Sequence, residues 1–91
     1  MLTDEMTARI SSLLSREGCA ECYIFGSHVT GGADAGSDID IGVVGLPPQR
    51  LFAVHSLLED ATKSAVDLVD FDEKPNFFAL LRDLGELKRI G

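Results

Sequence analysis

Two short apolar runs, DIDIGVV at 38–44 and AVDLVDF at 65–71, are separated by a stretch with helical spacing. That stretch opens on Pro47 and Pro48, which suit a helix start, and continues through Leu51, Phe52, Val54, His55, Leu58 and Ala61. Two strands linked through a long helix imply a crossover, and a crossover implies parallel pairing within a mixed sheet. The rest of the chain must pack around that unit. Thr3 caps a first helix whose opening turn holds Asp4 and Glu5, and Met6, Ile10, Leu13 and Leu14 recur at helical spacing before Gly18. Residues 20–25, AECYIF, form a strand broken by Gly26 and Ser27, and 28–37 is a loop or short helical turn. Pro75 opens a last helix through Phe77, Phe78, Leu81 and Leu84, which Gly85 interrupts, leaving the tail ELKRIG. The expected order is helix, strand, strand, helix, strand, helix. It describes one α/β (α+β) domain over residues 1–91, a small mixed β-sheet covered by helices, with AVDLVDF apolar enough to be an internal strand.

Composition narrows the function. A net charge of -7 argues against direct nucleic-acid binding, which needs a basic stripe. It suits a carboxylate site for metal, or a basic protein partner. No apolar run approaches the roughly 18 residues of a membrane span. The start MLTDEMTARI lacks the basic and apolar regions of a signal peptide, so the expected location is cytoplasmic, away from any membrane. Cys19 and Cys22 form CAEC without a second pair, and neither His28 nor His55 supplies metal-ligand spacing; two reduced cysteines beside a strand are expected.

The carboxylates are the feature that core packing does not explain. On a strand Asp38 and Asp40 point one way and Ile39, Ile41 and Val43 the other. Their Cα atoms lie roughly 6.5 Å apart, within reach of a shared cation. Magnesium takes carboxylate oxygens and keeps waters that substrate phosphates replace. Gly26-Ser27, directly after a strand, lets backbone amides approach an anion, and Ser27 adds a hydroxyl. Asp67 stands inside an apolar strand where an unpaired charge is costly. Asp70 competes with it for the place of third carboxylate, and an apolar strand gives parity no power to choose.

Gly26-Ser27, ten intervening residues, Asp38-x-Asp40 and the later VDLV together resemble the nucleotidyltransferase superfamily related to DNA polymerase beta. The small size is similar to its minimal nucleotidyltransferase (MNT, or MntA-like) proteins, over about residues 5–90. The resemblance implies a magnesium-dependent transfer of AMP from ATP to a hydroxyl. Asp38, Asp40 and Asp67 would be the catalytic and metal-binding residues, holding two Mg2+ ions, and Gly26 and Ser27 the nucleotide-binding ones. Asp67 is preferred over Asp70 because the family's aspartate sits early in the strand between apolar neighbours. Asp70 is then a solvated strand end, and Asp34 and Asp72 are loop charges.

Members of this family often carry Arg or Lys after the Gly-Ser pair, where this chain has His28 and Thr30. The triphosphate is left to metals, backbone amides and basic groups from elsewhere, with His28 either a phosphate contact or a solvent-facing loop residue. The resemblance also implies a partner. Minimal nucleotidyltransferases pair with HEPN-domain proteins in toxin–antitoxin systems, and some adenylylate a tyrosine of the toxin. Two other readings are a binding module that neutralises its partner by contact, and transfer to a small molecule. Leu51, Phe52, Leu58, Phe77, Phe78 and Leu81 are expected in the core, with any surplus on the last helix serving a homodimer or partner interface.

Overall fold

The computed structural model describes residues 2–31 and 38–91. The elements run α1 (Asp4–Arg16), β1 (Glu21–Phe25), α2 (Ser27–Thr30), β2 (Ile39–Val44), a 3-10 turn (Pro48–Arg50), α3 (Leu51–Thr62), β3 (Val66–Asp70), α4 (Pro75–Leu84) and β4 (Leu87–Arg89). Most boundaries follow from local chemistry. The Thr3 hydroxyl accepts the N–H of Met6 at 3.1 Å, capping α1. Gly85 closes α4 in the left-handed conformation that glycine adopts without a steric cost.

The strands form one mixed sheet in the order β3-β2-β1-β4. β1 runs antiparallel to both β2 and β4, whereas β2 and β3 are parallel, as the crossover through α3 requires. Two expectations are corrected here. AVDLVDF is an edge strand, not an internal one; α3 meets its outer side at Val66, with Glu59 accepting the Val66 N–H and His55 Nε2 bonded to the Val66 carbonyl. The tail ELKRIG is not a loose end, because its residues Leu87–Arg89 add the strand β4 beside Tyr23–Phe25.

Side-chain alternation divides the core between the two faces of the sheet. Cys22, Ile24, Ile39, Ile41, Val43 and Val66 meet Ile10, Leu13 and Leu14 of α1 and Val54 and Leu58 of α3. Arg9 strengthens the join between the two helices by donating to the Ala61 carbonyl at 3.2 Å. The other face is aromatic. Phe71 packs against Tyr23, Phe25 and Leu81 and stacks on Phe78 of α4 at 4.6 Å. Gly42 makes room for it, since a Cβ there would lie 2.0 Å from the Phe71 ring.

Phe52 departs from its expected core position, being 92 % exposed, and Phe77 lies at the surface as well. Both cysteines are free, as expected; burial pushes the Cys22 thiol up to about 11, with Cys19 adding to the shift. Such a thiol holds little thiolate at neutral pH and is a poor nucleophile. Among the described residues no helix is long and apolar enough to cross a membrane.

Candidate active site

Asp40 lies half-buried near the start of β2, between Phe25 of β1 and Asp67 of β3 in the pairing register. All three residues therefore share the aromatic face. α4 shields the Tyr23 and Phe71 end of that face, while Asp67 is exposed at the other. Asp38 is exposed immediately before β2 and has the parity of Asp40.

Register also separates the two competing aspartates. Asp67 pairs with Asp40, whereas Asp70 pairs with Val43 and so takes the opposite parity. Asp70 is not the solvated residue expected. It is buried, and its carboxylate accepts the N–H of Asp72 at 3.0 Å, closing the turn after β3. Asp72 itself accepts the Gly45 N–H at 2.7 Å, fastening that turn to the end of β2. Asp34 and the remainder of the predicted loop at 32–37 lie outside the described residues.

Gly26 follows β1 with φ 74° and ψ -144°, a conformation open essentially to glycine alone. A Cβ there would stand 2.4 Å from Asp40 Oδ2, so the backbone passes directly against the carboxylate. Ser27 starts the four-residue α2. His28 is not simply solvent-facing: its Nε2 is buried and has no hydrogen-bond partner among the described residues. Gly26→Ala is expected to lose about 1–3 kcal/mol of stability through backbone strain. Displacement of Asp40 should add a loss of about 10²-fold in any reaction at the site. Urea denaturation and a rate measurement on the same preparation check both.

Burial raises the Asp40 carboxyl above its ordinary pKa, Asp67 and Asp38 push it further, and His28 partly offsets them. The site thus concentrates negative charge, and among the described residues no salt bridge reaches Asp38, Asp40 or Asp67. Among the described residues no three His, Cys, Asp or Glu side chains are gathered as a finished ligand set, so the structure does not itself assemble Asp38, Asp40 and Asp67 into one. Their all-oxygen chemistry, together with the charge on Asp40, fits a hard divalent ion such as Mg2+.

A shallow hollow of about 370 Å³ adjoins this site, lined by Leu51, Phe52, His55, Asp67 and Leu68. Sequence reasoning missed it by placing Phe52 in the core. The signal was present: Val54, Leu58 and Thr62 define the buried stripe of α3, and Phe52 is about 200° from Val54 at 100° per residue.

The family model described as polymerase beta, nucleotidyltransferase matches residues 8–81. No curated protein matches the chain. Among solved structures, one chain of a toxin–antitoxin crystal structure with AMP-PNP is 27% identical, with a TM-score of 0.79 over 93% of this chain and 72% of that one. A mutant of the MntA–HpeT toxin–antitoxin pair gives 28% identity and a TM-score of 0.73, covering 90% of this chain and 68% of the other. A complex of tri-AMPylated Shewanella oneidensis HEPN toxin with MNT antitoxin shares the fold at 24% identity and a TM-score of 0.73, covering 96% and 70%.

Proposed function

This chain belongs to the polymerase beta nucleotidyltransferase family, and from that premise we propose that it transfers AMP from ATP to a tyrosine hydroxyl of a HEPN-type toxin, acting as its antitoxin. Residues 1–91 then work as one magnesium-dependent nucleotidyltransferase domain. The observation that carries the reading is the pairing of Asp40 with Asp67 beside the tightly turned backbone of Gly26. The structural likenesses support the choice of nucleotide and partner, because one of those complexes holds AMP-PNP and another an AMPylated HEPN toxin.

Asp38, Asp40 and Asp67 would hold Mg2+, which when bound neutralises charge on the phosphates and favours ionisation of the attacking hydroxyl. Gly26 and Ser27 contribute an amide and a hydroxyl to the terminal phosphates. His28, whose Nε2 has no partner among the described residues, would add a contact in place of the missing Lys or Arg. Asp67 orients the acceptor hydroxyl and takes up its proton as the oxygen attacks the α-phosphorus. The bond from that phosphorus to the bridging oxygen breaks, and pyrophosphate leaves. Positioning and electrostatics supply most of the rate in such transfers.

The test is incubation of the chain with a HEPN partner, ATP and Mg2+, followed by intact-mass analysis. The partner should gain one or more adenylyl groups. An unchanged mass under conditions that neutralise the toxin would sink the transferase reading. Contact-only neutralisation is the second reading, favoured by the absence of Lys and Arg between Arg16 and Arg50. It predicts that the Asp38→Asn, Asp40→Asn double variant neutralises as well as the parent chain.

A further inference from the structure

We propose that the hollow between α3 and β3 is the acceptor slot, seating the phenol ring of the partner's tyrosine, and that Phe52 sets the preference for an aromatic hydroxyl. The proposal rests on the transferase reading and assigns it a location. An exposed aromatic is by itself unremarkable for a protein surface. Phe52 matters because it shares one hollow with Asp67, the carboxylate placed at the attacking hydroxyl.

The sheet order supplies the direction of approach. Gly26 and Ser27 follow β1, Asp40 is on the adjacent β2, and Asp67 is on β3 beyond it. At about 4.8 Å between strands, the phosphate cradle and Asp67 are roughly 10 Å apart on opposite sides of Asp40. In-line displacement places the attacking oxygen opposite the leaving pyrophosphate. With the phosphates on the β1 side, the hydroxyl must enter from the β3 side, where the hollow lies.

The lining matches one kind of acceptor. Leu51, Phe52 and Leu68 form an apolar wall, and Asp67, whose side chain has the parity of the aromatic face, borders the hollow at the sheet edge. A phenol covers such a wall with its ring while carrying its hydroxyl to the acid; serine and threonine have no apolar surface of that size. The strand edge can hold the peptide as well. Ile39 donates to the Ala65 carbonyl and Phe71 to that of Val43, so alternate residues of β3 turn their peptide groups toward β2. Val66 and Leu68 face outward; α3 occupies Val66, whereas Leu68 has no partner among the described residues. An extended acceptor segment could pair there as its tyrosine enters the hollow.

The experiment titrates the full 15N-labelled chain with N-acetyl-L-tyrosinamide, following amide resonances by NMR. Saturable shifts are expected at Leu51, Phe52, His55, Asp67 and Leu68, with none for N-acetyl-L-serinamide. Phe52→Ala should weaken tyrosinamide binding roughly 2–10-fold, the range of one aromatic pair. Because Phe52 is exposed, the variant should keep the parent's spectrum elsewhere. Absence of these shifts, an equal response to serinamide, or unchanged binding by Phe52→Ala overturns the slot. Competition by adenosine at the same resonances also overturns it, by making the hollow a base pocket. Adding ATP and Mg2+ and weighing the probe separates the two claims. Saturable binding without AMP on tyrosinamide supports the slot and counts against transfer; AMP on the probe without shifts at these residues overturns the slot alone.

Discussion

Asp40→Asn is expected to abolish measurable transfer, by roughly 10³-fold, while making the metal-free protein slightly more stable. The activity loss is at the upper end of what removing one preorganised electrostatic group costs. The gain in stability has a separate origin. Burial, Asp67 and Asp38 all disfavour the charged form of Asp40 in the folded chain, so removing that charge relieves the fold. Thermal melts in EDTA should place the variant above the parent. Added Mg2+ should reverse the order, because only the intact carboxylate set gains from the ion.

The pH dependence of that difference follows from the sign of the shift. A carboxyl whose folded pKa is raised above the unfolded value of 3.8 binds its proton more readily in the folded state. Its stabilising contribution is therefore complete below 3.8 and is lost as pH rises through the raised folded value. In EDTA, the advantage of Asp40→Asn over the parent should be largest at neutral pH and vanish below 3.8. A constant difference across that window would show that the charge on Asp40 is not what opposes folding.

Phe71→Ala is expected to cost about 3–5 kcal/mol, as for other buried aromatic truncations. A chain of this length has about 5–14 kcal/mol in total, so much of its stability rests on one ring. Phe71 is 2 % exposed, fills the space left by Gly42, and contacts Phe25, Phe77, Phe78 and Tyr23. Urea denaturation measures the loss, with Phe71→Leu as the control that keeps more of the volume and should lose less. Phe25 pairs with Asp40, so the damage should also reach the site: Mg2+ should protect Phe71→Ala from heat less than it protects the parent.

Local signals were sufficient wherever a single residue type ends or begins an element. Thr3, Pro75 and Gly85 bracket helices by capping chemistry, and the spacing of Ile10, Leu13 and Leu14 identifies the buried side of α1. The alternation in IDIGVV placed Asp40 opposite the core-facing isoleucines. What local signals could not supply was the neighbour of each strand. β3 is apolar in composition yet lies at an edge, because α3 rather than another strand meets its outer side at Val66. β4 is short and polar, and its pairing with β1 depends on contacts distant in sequence. The parity that separates Asp67 from Asp70 likewise became decisive only once the register with β2 was known.

The sheet order has a consequence for how the chain acquires its site. β1 and β2 are neighbours along the chain, so Asp38 and Asp40 can be presented by an early antiparallel pair. Asp67 joins them only after the α3 crossover has closed and the parallel ladder has zipped, a non-local step and the slower kind. Affinity for the divalent ion should therefore appear late in refolding, after most of the helical signal has returned. A nascent or partly unfolded chain would then hold two of the three carboxylates and remain silent toward nucleotide. Completion of the fold would itself act as the licence for chemistry.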